Sequence, residues 1–96
     1  MMLVQSVHYT FAAEDAGRAA GMLTELRDLS RKEPGVANFI VARGKDQPNV
    51  FVLWEEYRDE ASLRAHLETD HFKRLVINGT RRLAKERVGE LALPLT

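Results

Sequence analysis

The chain has 96 residues, the size of one domain rather than of two separate cores. Lys plus Arg and Asp plus Glu both number 14, so the net charge is zero and no overall field points to nucleic acid or an anionic membrane. Cysteine is absent, which excludes disulfides, thiolate-held zinc or iron–sulfur sites and a thiol nucleophile, while 45% hydrophobic and 29% charged residues suit a folded globular protein.

The opening MMLVQSVHYT lacks a basic stretch followed by a long apolar one, and the longest apolar run, Val50 to Trp54, is far short of a membrane span. A cytoplasmic protein with no membrane partner is expected. Residues 2 to 11 alternate as a strand, with Leu3, Val7, Tyr9 and Phe11 on one face and Met2, Val4, Ser6 and His8 on the other. His8 faces either the helix side of the sheet or an interface between subunits.

From Ala13 to Lys32 the period becomes helical, with Ala16, Ala19, Ala20, Leu23, Leu26 and Leu29 in one stripe. Gly17 and Gly21 weaken this helix, so either something packs closely there or tertiary contacts hold it. Glu33-Pro34-Gly35 stops it. Val36 to Arg43 and Val50 to Tyr57 are rich in β-branched and aromatic residues around the turn-like GKDQPN, which predicts an antiparallel hairpin.

Asp59 can cap a helix from Glu60 to Glu68, with Leu63 and Leu67 at i, i+4, and Thr69-Asp70 offers a second cap. A further helix follows from about His71 to Ala84, interrupted or ended near Asn78-Gly79. Arg87 to Leu95 alternates as a last strand whose Pro94 belongs at an edge or end. The order is βαββαβ, the split arrangement of ferredoxin-like α+β folds with an antiparallel four-stranded sheet. Helices on one face leave the other apolar, and a domain this small buries only about 60 to 65% of its surface, so a second copy is the expected cover.

Candidate chemistry concentrates in Trp54-Glu55-Glu56-Tyr57 and in His66 and His71. Glu55 and Tyr57 share a strand face with Phe51 and Leu53, so Glu55 sits among apolar neighbours as a raised-pKa base or a buried structural hub. His66 and His71 lack the i, i+4 spacing of a helical metal pair, and no metal is expected. Each either bonds backbone near the helix break or faces a pocket and moves protons. Trp54, Phe39 and Phe51 read as core or interface aromatics. Asn38, alone among apolar neighbours, orients a ligand oxygen or bonds local backbone. The basic run Lys73, Arg74, Arg81, Arg82, Lys85 and Arg87 lacks interleaved aromatics and reads as a solvated face.

The run from Glu33 to Leu75, with Glu55-x-Tyr57, Leu63, Ala65-His66-Leu67, Thr69 and His71-Phe72-Lys73, resembles the antibiotic biosynthesis monooxygenase (ABM) family. Tyr57 stands where that family commonly has Trp. The resemblance implies a dimeric α+β barrel with a pocket between sheet and helices in each subunit. It also implies a small monooxygenase that oxidises quinols or polycyclic phenols with dioxygen and uses no cofactor. His66 is then the proton-handling residue, with Tyr57 and Asn38 as hydrogen-bond partners. Glu55, His71, Phe72, Trp54 and Val76 are pocket or structural residues. A haem-degrading branch ligates iron through a histidine where this chain has Val76, which cannot bind iron, so haem degradation is not expected. The alternatives are an enzyme acting on a small signalling metabolite and a non-catalytic dimer that binds a hydrophobic metabolite.

Overall fold

The computed structural model describes residues 1–95. Strand β1 (Leu3–Thr10) leads through a 3-10 turn, Ala13–Asp15, into helix α1 (Ala16–Ser30). The hairpin of β2 (Val36–Arg43) and β3 (Val50–Tyr57) follows, then α2 (Glu60–Leu67). Helix α3 covers 70–83, as Asp70–Phe72, a π-wound Lys73–Thr80 and Arg81–Leu83. Strand β4 (Glu86–Ala92) ends the order, with Pro94 beyond it.

The strands pair antiparallel in the order β2-β3-β1-β4, the four-stranded α+β arrangement anticipated from the periodicities. Register assigns the faces. Val7 lies opposite Leu53, Tyr9 opposite Phe51 and Phe39 opposite Glu55, and all of these turn inward. Ala19, Leu23 and Leu26 of α1 and Phe72, Leu75 and Val76 of α3 close over them. Among the described residues no helix is long and apolar enough to cross a membrane.

Local chemistry explains the helix ends. The Asp59 carboxylate accepts from the Ser62 backbone N–H at 2.8 Å and caps α2. The Thr69 hydroxyl accepts from Phe72 N–H at 3.1 Å and donates to His66 O at 2.8 Å, so a single side chain ends α2 and starts α3.

One expectation is revised and one open alternative is decided. Asn78-Gly79 does not break the helix: the chain runs through it with π winding, Arg81 N–H reaching Val76 O. Gly79 serves close approach, since a Cβ there would lie 2.9 Å from Met22 Sδ of α1 and 3.1 Å from Arg74 O. At Gly17 and Gly21 no atom of the described residues would come within 4 Å of a Cβ, so no close packing explains them. The buried Ala19, Leu23, Leu26 and Ser30 hold α1 instead.

Candidate functional site

Glu33, in the turn after α1, meets two histidines 33 and 38 residues further along the chain, one on α2 and one on α3. His66 Nδ1 donates to Glu33 Oε2 at 2.8 Å, and His71 Nε2 donates to the same oxygen at 2.7 Å. An ionised carboxylate only accepts, so it fixes both tautomers: His66 carries its proton on Nδ1 and keeps a lone pair on Nε2. The turn after α1 aims Glu33 at this point, with Glu33 N–H on Ser30 O at 3.0 Å and Val36 N–H on Glu33 O at 3.1 Å. The Thr69 turn brings His71 round to the same oxygen.

His66 is only 2% exposed. The rings of Phe39, Tyr57 and Phe72 surround it at centroid distances of 5.8, 5.4 and 5.3 Å. Burial holds its pKa below the ordinary histidine value, against the opposing pull of the Glu33 hydrogen bond and charge. The imidazole is therefore neutral at pH 7 and able to accept a proton.

Across from it, on the inner face of β3, the Tyr57 hydroxyl donates to Glu55 Oε1 at 2.5 Å. Burial pushes the Glu55 carboxyl up to about 7, with the Tyr57 bond and the Arg87 charge pulling the other way. Burial and the adjacent carboxylate push the Tyr57 phenol up as well, so it stays a donor. His66, Glu55, Gln5, Phe72, Arg81 and Arg87 are among the groups lining a small cavity of about 30 Å³ between sheet and helices. Glu33 lines a separate surface depression of about 450 Å³, beside Pro34, Ser62 and Thr69. The Glu33–His66 bond thus joins an interior space to an exterior one. The larger depression holds neither imidazole nor Glu55, whereas the smaller cavity holds His66 and Glu55 together.

The nitrogens of His66 and His71 and a Glu33 oxygen lie within 4.8 Å of one another, a donor set that suits a divalent transition ion. The two hydrogen bonds to Oε2 already satisfy these atoms.

The structure brings His66, His71, Glu55, Tyr57 and Phe72 together, and Val76 of the π-wound segment lines the same cavity. Neither histidine spends the bonded nitrogen on backbone near the helix break; both use Glu33. Two candidates fall elsewhere. Asn38 pairs with Glu56 on the opposite face of the sheet, where its Oδ1 accepts from Phe39 N–H at 2.9 Å, so it does not reach His66. Trp54 lies on that outer face too, its Nε1 donating to Glu56 at 2.7 Å. His8 is exposed there as well, paired with Val52 and Val88. Phe39 and Phe51 are core residues.

Sequence reasoning missed Glu33, which reads as part of a helix stop. A signal was present: an acid just past a helix C-terminus meets the unfavourable end of the helix dipole and is better placed with a cationic or donor partner. Arg81 and Arg87 were absorbed into a solvated basic run, although register turns Arg87 inward opposite Tyr9.

Known proteins share this fold. The family model "Antibiotic biosynthesis monooxygenase" matches residues 2–76. The Bacillus subtilis protein "Putative monooxygenase YcnE" is 37% identical over 60 residues, which are 59% of this chain and 63% of that protein, so the match spans less than two thirds of that relative. Among solved structures, a "Putative antibiotic biosynthesis monooxygenase" from Bacteroides thetaiotaomicron superposes with TM-score 0.89 at 28% identity over 99% of this chain and 90% of that one. Its namesake from Nitrosomonas europaea gives 0.90 at 25% over 98% and 90%. With the fold, the β3 pair and the His66 region all within or consistent with the matched span, the chain belongs to the antibiotic biosynthesis monooxygenase family.

Proposed function

We propose that this chain is a cytoplasmic, homodimeric, cofactor-independent monooxygenase that oxidises a quinol-like or polycyclic phenolic substrate with dioxygen. The observation that carries the reading is the Glu33–His66 pair: a buried, neutral imidazole lining the inner cavity, its tautomer fixed from behind by a carboxylate. Such a group is a base without needing a metal to activate it.

In this reading the substrate O–H gives its proton to His66 Nε2. The Glu33 carboxylate stabilises the imidazolium that forms, and the apolar walls keep the substrate anion from being quenched by water. The electron-rich anion is itself the reductant: it passes electrons to dioxygen, one oxygen atom ends in the product and the other leaves as water. For a quinol the balance is quinol plus dioxygen to hydroxyquinone plus water. Glu55, protonated in part near pH 7, is the donor for the reduced oxygen, and the Tyr57 hydroxyl, donating to Glu55 Oε1, holds that carboxyl in place. A ring does not fit in about 30 Å³, so the walls must part to admit one. The π-wound segment, which supplies Val76, is the element suited to yield, because its hydrogen bonding departs from the regular i to i+4 ladder.

The test is oxygen uptake by chelator-treated protein over hydroquinones and polycyclic phenols. Uptake above autoxidation is expected, falling by about 10² to 10⁴ in His66→Ala, with melting followed to separate folding from chemistry. A base must be neutral, so kcat/KM rises with pH to a plateau, and its acid limb lies below about 6.5 because burial depresses the His66 pKa. Glu33→Gln lowers kcat and moves that limb to still lower pH, since the Glu33 charge is what raises the pKa. Uptake no faster than autoxidation across the panel, with ligand binding retained, would leave the chain a metabolite-binding protein.

A further inference from the structure

Two guanidinium groups stand at the inner cavity outside any ion pair of the described residues, although the Arg87 charge reaches the Glu55 carboxyl and pulls its pKa down against burial. Arg87 enters from β4, opposite Tyr9 in the ladder, and Arg81 from the end of α3. Among the described residues neither takes part in an ion pair. Arg87 Nε is buried and has no hydrogen-bond partner among them, an omission that proteins seldom tolerate for a charged donor. Aromatic faces hold the two groups in place. Arg87 lies 5.8 Å from the Tyr9 ring centroid and Arg81 lies 5.6 Å from that of Phe72.

The backbone makes room for this arrangement. Gly89 shares the inner face of β4, and a Cβ there would stand 3.1 Å from one terminal nitrogen of Arg87 and 3.3 Å from the other. The absent side chain is the space into which the guanidinium folds. Most of the cavity lining is buried, whereas Arg81 and Leu67 are exposed and Gln5 and Arg87 are half-buried, so these four form the mouth. His66 and Glu55 lie deeper. The acid in the lining, Glu55, makes no ion pair with either arginine, and burial keeps it partly protonated near neutral pH.

A guanidinium with an unused Nε–H beside a terminal N–H presents the two-pronged donor edge that a carboxylate fits. We propose that the cavity takes a hydroxy-aromatic acid, whose carboxylate is bound at the mouth by Arg87 with Arg81 beside it while the ring hydroxyl points inward to His66. The inference rests on the oxidation reading for the hydroxyl end of the substrate; the carboxylate end stands on the two arginines.

The test uses paired probes that differ only in the acid group. Binding is measured by anaerobic calorimetry with 1-naphthol and 4-hydroxy-1-naphthoate, and oxygen uptake with 1,4-dihydroxynaphthalene and its 2-carboxylate, whose 4-hydroxyl is free of the acid group. The acid is expected to bind about tenfold tighter or more than its neutral partner. Arg87→Gln should erase that preference, so that the ratio of the two affinities, both measured on the same variant, falls from about tenfold or more to near one. Arg87→Lys, which keeps the charge but loses the fork, should restore it only in part, and melting of both variants checks that they fold. Equal binding of the two probes, or a preference that survives Arg87→Gln, overturns the proposal. Neutral and acidic quinols oxidised equally well would also overturn it and leave the oxidation reading standing. Arg87-dependent binding of the acid with no oxygen uptake from any quinol would uphold the anion site and sink the oxidation reading.

Discussion

Glu55 and His66 face one cavity, yet burial acts on them with opposite consequences for stability. Burial disfavours the charged form of each. For His66 the folded pKa lies below the unfolded one, so its contribution is complete above about 6.5 and is lost as pH falls through the lower folded value. For Glu55 the folded value of about 7 lies above the ordinary carboxyl value, so its contribution is complete at pH 4.5 and declines as pH rises to 7. Glu55→Gln isolates the second effect, because a carboxamide has the shape of the protonated acid and still accepts the Tyr57 hydroxyl. The melting temperature of Glu55→Gln is expected to match that of the parent near pH 5 and to exceed it near pH 8. A variant that melts lower at both pH values would show instead that the carboxylate is the form the fold needs.

The helix-to-strand turn at Glu33-Pro34-Gly35 is where an element is held at the distance the site requires. A Cβ on Gly35 would collide with Ser62 Oγ and lie 3.2 Å from Ser62 Cα, so only a glycine lets α2 approach β2 closely enough to set His66 against Phe39. Arg58 fastens the same turn, its backbone N–H on Gly35 O and its Nε on Pro34 O, both at 2.9 Å. Gly35→Ala should therefore cost about 1 to 3 kcal/mol in denaturant unfolding. It should also weaken the Glu33–His66 bond, read as loss of the downfield imidazole N–H proton resonance; full stability would mean that Ser62 simply rotates away. The elements themselves were readable because each carries its cause locally: alternation in β1 and β3, Asp59 and Thr69 as caps. The last strand was read too long, to Leu95, and ends at Ala92 before Pro94. The π winding of Lys73–Thr80 was not readable, since one extra residue per turn leaves composition and stripe nearly unchanged. Nor was the meeting of Glu33 with His66 and His71, which depends on where two helices cross. Half of the site could be read from residues on one strand face, Glu55 and Tyr57; the other half exists only once the chain has closed.

At the scale of the molecule, the sheet has a covered face and a bare one. Ile40, Val52 and Trp54 are 42%, 41% and 44% exposed, and Val88 is 58% exposed. Register makes them neighbours: Ile40 lies opposite Trp54, and His8 stands between Val52 and Val88. Apolar side chains on β2, β3 and β4, interrupted on β1 by His8, are costly to leave in water, and a face related to itself by a two-fold axis is the simplest cover. A stable dimer needs about 800 Å² from each partner, an extent that a four-stranded sheet face can supply. Sedimentation equilibrium is therefore expected to find a dimer at micromolar concentrations, and Trp54→Asp, which puts a charge in the centre of the patch, a monomer. A parent chain that sediments as a monomer would remove the dimer from the functional reading. The monomeric variant then separates assembly from chemistry. Glu33, Glu55, Tyr57, His66, Arg81 and Arg87 all come from one chain and lie on the other side of the sheet from Trp54 or beyond it. Trp54→Asp should thus lose part of its melting temperature while keeping the carboxylate preference and the KM for the quinol; a loss of both along with the dimer would mean that the partner subunit shapes the cavity.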